Sequence, residues 1–201
     1  LMVILVRTDP SSKGARGLSI FLVTTPRDEA APPFPMHGMQ GSEIKVLGYR
    51  GMKEYEIGFD GLMTTRDSIL GGIPGHGFQQ LMSTFEVARI QTAARAVGVA
   101  QDALNLALDY ARTRHQFNRP ILAFPRISTK IAHIAAELMI VRQQLYEVAR
   151  LKEQGTRCDV EAGMAKLLAA RLAWIAADDA VQIHGGNGYA LEYPISRVVC
   201  D

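Results

Sequence analysis

The chain has 201 residues, 48% of them apolar, and a net charge of only +2. This suits one or two domains with a substantial core, and the scattered basic residues form no arm or run that would grip nucleic acid. Cys158 and Cys200 are too far apart for a metal-ligand pair or a disulfide framework, so a reducing compartment is expected, and no stretch has the length of a transmembrane helix.

The first third alternates short apolar runs with turn residues. Leu1–Val6 reads as a buried strand, and a chain that opens on Leu inside a strand is expected to be a piece of a longer one. Asp9–Gly14 is a turn cluster, Leu18–Val23 a second strand, and the proline-rich 30–41 stretch a loop. Glu43–Leu47 and Tyr55–Phe59 read as further strands, and the glycine-rich Gly71–Gly77 closes the region. The expected boundary lies between residues 74 and 75.

Beyond it the period becomes helical. A first helix is expected from about Phe78 to Arg112, with Ala88, Ala93, Ala94, Ala96, Gly98 and Ala100 letting neighbours approach closely. In a second, Ile127, Ile131, Ile134, Leu138, Val141, Leu145 and Val148 recur at spacings of four and three, making one apolar stripe. Gly155 suits the position just past its end. Asp159 is the expected N-cap of a third helix, with Met164, Leu167, Leu168, Leu172 and Ile175 on its apolar face. Helices of about 25–35 residues with short links predict an up-down bundle.

Three segments carry chemistry. They are Phe85-Glu86-Val87-Ala88-Arg89 in the first helix, Arg114-His115-Gln116-Phe117 just after it, and Gln182-Ile183-His184-Gly185-Gly186-Asn187-Gly188-Tyr189 after the third. A guanidinium is a permanently charged fork suited to phosphate oxygens, and paired glycines let a backbone approach a ligand without a Cβ in the way. The five histidines are scattered, with no pair at metal-ligand spacing, and His184 reads as a loop histidine bonded to backbone rather than a catalytic one.

The order and separation of these segments, together with Leu47–Arg50, Glu56–Asp60 and Leu70–Gly72, resemble the acyl-CoA dehydrogenase family over essentially the whole chain. The resemblance implies a mostly α fold. Part of a β-barrel-like, antiparallel middle domain (residues 1–74) would precede a long-helix up-down bundle (residues 75–201). It implies FAD as cofactor, contacted by Arg114, Gln116, Phe117, Phe124, Gln182, Ile183, Gly185 and Gly186. The matching arginine of the family reaches the flavin nucleotide of a neighbouring subunit, so a homodimer or homotetramer is expected. Phe85, Glu86 and Arg89 match the family's acyl-CoA contacts, and an electron-transfer flavoprotein is the implied electron acceptor.

The implied chemistry is α,β-dehydrogenation of an acyl-CoA thioester, in which a glutamate takes the α-proton and the β-hydrogen leaves as hydride to the flavin. No residue of the chain matches that base. Most members carry it in a segment expected beyond Asp201; a minority carry it at the position of Ala88, which has no proton acceptor. Glu86 lies about 200° around the helix from there and is no substitute.

Some positions depart from the family pattern. Asn118 replaces a common Gly, Pro125 follows Phe124 where a Gln is usual, and Cys200 stands where Arg is frequent. Residues 49–56, Ala123–Arg126 and His184–Gly188 with Cys200 are similar to the branch acting on methylsuccinyl-CoA, a branched C4 dicarboxylyl thioester oxidised to mesaconyl-CoA. Such a substrate calls for a cation, and Arg50, Lys53, Arg89 and Arg95 are the candidates. The expected setting is a bacterial cytoplasm, or the mitochondrial matrix in a eukaryote. A non-catalytic homologue that packs against a partner subunit, and a flavin oxidase on the same fold, are the competing readings.

Overall fold

The computed structural model describes residues 1–26, 33–49 and 51–201, in two compact units, Leu1–Phe85 and Glu86–Asp201. The first unit is antiparallel β. Strands β1 (Met2–Arg7) and β2 (Leu18–Val23) pair from Met2 opposite Val23 to Arg7 opposite Leu18. Strands β3 (Met39–Ile44) and β4 (Glu54–Phe59) pair from Met39 opposite Phe59 to Ile44 opposite Glu54.

Two expectations change here. The first strand is largely solvent-exposed, with Val3 at 62%, because among the described residues it pairs with β2 alone and no layer covers its outward side chains. The third strand begins four residues before the expected Glu43 and stops at Ile44. Pairing with β4 decides its extent, and apolar Val46 and Leu47 lie past the last partner. In β2, buried Ser19 uses its hydroxyl twice, sharing a 2.7 Å hydrogen bond with Thr8 and accepting the Gly75 N–H at 2.9 Å. Part of the proline-rich 30–41 stretch, and Arg50, lie outside the described residues.

The second unit is a bundle. Helix α1 (Gly77–Thr113) starts in the first unit and runs on through the second; α2 spans Pro125–Glu153, α3 Asp159–His184, and a short α4 Ile195–Cys200. Three polar ties give the helix directions. Lys152 near the end of α2 bonds Glu86 near the start of α1, Arg142 bonds Gln101 midway along the same pair, and Lys130 near the start of α2 bonds Asp179 near the end of α3. Each consecutive pair is therefore antiparallel, as the short links require.

The core forms where the stripe on α2 predicts it. Ile131, Ile134, Leu138, Val141, Leu145 and Val148 are all buried, while Ile127 is partly so. On α1 the buried line is Ala93, Val97, Ala100, Ala103, Ala107 and Ala111. Gly98 is off that line with open space around it, so close helix packing within this chain does not explain it.

The buried face of α3 differs from the expected one. Ala162, Ala165, Ala169, Leu172, Ala176, Ala180 and Ile183 face inward, whereas Met164, Leu167 and Leu168 are exposed. Alanines admit close backbone approach where larger side chains would hold the helices apart, so size rather than hydropathy chose the face.

The α2–α3 corner is also set by local bonds. Gly155 takes φ +73°, the Thr156 N–H reaches the Leu151 carbonyl, and the Gly155 N–H reaches that of Lys152, the two bonds of a Schellman ending. Asp159 is the first residue of α3 rather than its N-cap. Arg157 holds its carboxylate in a two-pronged contact at 2.8 and 3.2 Å, and Cys158 occupies the cap position without a side-chain capping bond of its own. Among the described residues, no helix is long and apolar enough to cross a membrane.

Candidate cofactor and substrate surface

Two of the chemistry-bearing segments come together at one end of the bundle. After α1, the chain turns through a hairpin, β5 (His115–Gln116) and β6 (Arg119–Pro120), with Phe117 and Asn118 at its tip. Their φ angles are +53° and +63°, the two successive positive values of a type I′ turn. Asn is among the few residues that accept this conformation, so Asn118 fills the role of the more usual glycine; Phe117 carries real strain. Asn118→Gly is therefore expected to leave thermal stability nearly unchanged. Asn118→Val should cost about 1–2 kcal/mol, read as a fall in melting temperature.

The turn holds Phe117 86% exposed. Its ring meets Phe124 edge-on at 6.1 Å, and the Arg119 guanidinium lies 4.0 Å from the Phe124 ring centre. Phe124 is the N-cap of α2, and Pro125 after it sits at the first helical position, where its missing N–H costs nothing. Arg114 and Gln116 point to solvent.

On the other side, α3 ends at His184 and Gly185–Tyr189 forms a 3-10 turn. Gly185 adopts φ +58°, ψ −135°, a region essentially restricted to glycine. A Cβ at Gly185 or Gly186 would meet nothing within 4 Å, so this backbone is open to a ligand. Gly188 is the opposite case: its Cβ would lie 2.7 Å from the Val181 carbonyl oxygen.

One polar and aromatic cluster joins the two segments. The Asn187 amide donates to the Tyr110 hydroxyl at 2.9 Å and to the Tyr193 hydroxyl at 3.1 Å. The His184 ring stacks on Tyr110 with centroids 4.2 Å apart, and its Nδ1–H donates to the Ala180 carbonyl at 2.7 Å. His184 is thus a buried, backbone-bonded histidine at a helix end. Tyr110 lies one turn before Arg114, whose N–H bonds the Tyr110 carbonyl, so anchoring Tyr110 also positions the hairpin.

Most of the expected cofactor contacts are exposed, namely Arg114, Gln116, Phe117, Gln182, Gly185 and Gly186, while Phe124 is half-buried. Ile183 differs. It is 4% exposed and packs into the core, so only its main chain is available to a ligand. Sequence reasoning passed over Arg119 and Tyr110, and marked Tyr193 only as part of the Glu192–Pro194 stretch, without a role. Arg119 had a signal in its place two residues past Phe117, whereas the tyrosines become visible only as partners of Asn187.

The substrate segment divides. Phe85 and Arg89 are exposed on α1. Glu86 is only 9% exposed, and its carboxylate is turned into the α2–α3 corner instead of toward a ligand. It accepts from Lys152 Nζ at 3.0 Å, from the Cys158 thiol at 3.2 Å and from the Cys158 N–H at 3.4 Å. The Lys152 bond and then the thiol bond hold the Glu86 carboxyl below its usual range. Burial first, and then the bond to Glu86, push the Cys158 thiol up. The result is a neutral, inert thiol in the core. Among the described residues no group of histidine, cysteine or acidic side chains has a metal-binding arrangement.

The family model for the C-terminal domain of acyl-CoA dehydrogenases matches residues 75–201. This chain belongs to the acyl-CoA dehydrogenase family. Members of the family are FAD-binding flavoproteins, and the open glycine backbone and the exposed arginine and glutamine donors fit a nucleotide cofactor. The chain is 58% identical over all 201 residues to a (2S)-methylsuccinyl-CoA dehydrogenase of Cereibacter sphaeroides, spanning 37% of that protein. It is 33% identical over 199 residues to a subunit of the caffeyl-CoA reductase–Etf complex of Acetobacterium woodii, covering 99% of this chain and 50% of the relative. Butyryl-CoA dehydrogenase from Megasphaera elsdenii has the same fold, with a TM-score of 0.87 and 32% identity over 98% of this chain and 49% of the other. The chain thus spans about half or less of the length of these relatives.

Proposed function

We propose that the protein carrying this chain dehydrogenates an acyl-CoA thioester between its α and β carbons, with (2S)-methylsuccinyl-CoA as substrate. The observation that carries this is the Asn187 amide bonded to both Tyr110 and Tyr193, which ties the end of α1, just ahead of Arg114 and Gln116, to the turn that carries the open backbone of Gly185 and Gly186. FAD, when bound, accepts the hydride that leaves the β-carbon. The chain's own part is to hold the cofactor: the Arg114 fork and the Gln116 and Gln182 amides supply donors for a pyrophosphate. Phe85 and Arg89 are offered to the pantetheine arm.

The α-proton needs a base, and neither position weighed for it in this chain supplies one. Ala88 has no acceptor, and the Glu86 carboxylate is committed to Lys152 and Cys158. The base is assigned to a glutamate outside these residues. The methylsuccinyl substrate is supported by the identity to the Cereibacter sphaeroides enzyme, and an electron-transfer flavoprotein as acceptor by the likeness to the Etf-complex subunit. A homodimer or homotetramer follows if the exposed surface serves a neighbouring subunit's flavin. Two free cysteines suit a cytoplasm or a mitochondrial matrix.

The test is the visible spectrum of the purified protein before and after anaerobic addition of methylsuccinyl-CoA. Bleaching of a flavin band supports the reading, and a bound flavin that stays oxidised with every acyl-CoA tried overturns it. Arg114→Ala should weaken FAD binding about 10–100-fold, measured by cofactor titration, with the far-ultraviolet dichroism unchanged.

A further inference from the structure

The hairpin after α1 carries two arginines, Arg114 and Arg119. Gln116 stands opposite Arg119 across the two-residue turn. The ladder continues past His115 and Pro120 to Arg114, whose carbonyl accepts the Ile121 N–H at 2.9 Å. Side chains alternate along a strand, and residues opposed across a ladder share a face. Arg114, Gln116 and Arg119 therefore stand on one face of the hairpin, and all three are exposed. The two arginines are diagonal neighbours, a relation that sets residues roughly 7–8 Å apart.

The charge around them is one-sided. From Tyr110 to Ala136 the sequence has no acidic residue, yet it holds Arg112, Arg114, Arg119, Arg126 and Lys130. Of these, Lys130 is paired with Asp179. Among the described residues, neither the Arg114 nor the Arg119 side chain has a hydrogen-bond or ion-pair partner. Arg119 is held instead by Phe124, with the guanidinium carbon 4.0 Å from the ring centre. A ring quadrupole fixes a cation without neutralising it. Pro125, next to Phe124, has no N–H, so Arg119 is the donor group packed on this corner. Two such charges on one small face repel each other, and a dianionic ligand turns that repulsion into attraction.

We propose that Arg119 is a diphosphate-binding residue, acting with Arg114 so that two guanidinium forks serve the two phosphates of an adenosine diphosphate group. A guanidinium offers five donors in a fixed geometry that matches phosphate oxygens. The proposal rests on the reading of the protein as a flavin-dependent acyl-CoA dehydrogenase, in which FAD and the coenzyme A thioester both carry such a group. Arg119 extends the set formed by Arg114 and Gln116, and its register opposite Gln116 is what places it there.

The test titrates FAD and coenzyme A separately into the flavin-free, full-length protein that carries this chain, at low and at high salt. Arg119→Met keeps an apolar cover on Phe124 while removing the charge. It should weaken FAD binding roughly tenfold at low salt, and the gap should close at high salt, where ions screen the pairing. Arg119→Lys, which keeps the charge but not the fork, should lose roughly threefold. A salt-dependent loss for coenzyme A with FAD unchanged supports the diphosphate role equally and makes the thioester its source. A change below about threefold for both ligands in Arg119→Met, or a loss of equal size at every salt concentration, overturns the proposal while the dehydrogenase reading stands. If Arg119→Met does not fold, Arg119→Gln is read by the same criteria. Wild-type protein that binds neither FAD nor coenzyme A overturns the proposal and the dehydrogenase reading together.

Discussion

Glu86→Ala is expected to destabilise the helical unit by about 3 kcal/mol, and Glu86→Gln by about 1 kcal/mol. The carboxylate accepts three hydrogen bonds at the meeting point of α1, the end of α2 and the start of α3. Lys152 is 36% exposed and turns to water when its partner is removed, so its share of the loss is small. The Cys158 N–H and thiol are buried and have no such recourse, and orphaned buried donors cost about 1–3 kcal/mol each. Glutamine keeps an acceptor oxygen in place and loses only the charge. For a unit of this size, 3 kcal/mol corresponds to a fall of roughly 9–18 °C in melting temperature.

The pH dependence has a definite sign. The folded-state pKa of Glu86 is depressed, so its contribution is fully present above its ordinary value of 4.5 and disappears as pH falls through the lower folded value. The stability gap between wild type and Glu86→Gln should therefore be constant from neutral pH to about 5 and close below it. A gap that persisted at the acid end would show that the charge contributes nothing. Cys158 acts at the other extreme. Its folded pKa is raised, so stability falls as pH climbs from the thiol's ordinary 9.0 through the higher folded value.

Gly188→Ala is expected to cost about 2–4 kcal/mol and to lower FAD affinity at least tenfold. The added Cβ would sit 2.7 Å from the Val181 carbonyl oxygen and 3.1 Å from both the Val181 Cα and Cγ1. The first two are main chain of α3 in its last turns, which cannot yield without breaking the helix, so the 3-10 turn moves instead. Asn187 moves with it and loses its hold on Tyr110 and Tyr193, which tie together the two segments proposed to hold the cofactor. Gly186→Ala is the control: its Cβ meets nothing within 4 Å, so stability should be preserved while any close approach of a ligand is hindered. Thermal melts and flavin titration on the two variants separate these effects. Equal stability loss at both positions would refute the packing argument.

The α2 helix was legible in full from the sequence, because its six buried residues recur at helical spacing and nothing local competes with them. The Gly155 ending was legible for a similar reason, since a glycine after an amphipathic run has one common use. The motif segments around Arg114 and Gln182 were found through their resemblance to the acyl-CoA dehydrogenase family, with which the chemistry of phosphate recognition agrees.

Only the tertiary structure decided the rest. On α3, both the leucine–methionine face and the alanine face have helical period. The choice between them depends on how closely α1 and α2 approach, which no single helix encodes. The third strand was placed too late, because the extent of a strand is a property of its partner. Glu86 read as a ligand contact or an exposed acid and is neither. Its three hydrogen-bond partners lie 66 and 72 residues away in the chain, and only folding brings them within reach. Sequence by itself thus determined which family the chain resembles, which residues are candidates for its chemistry, and which run as helices. Packing determined which of them are exposed and which hold the bundle together, because burial and hydrogen-bond satisfaction depend on distances between distant segments.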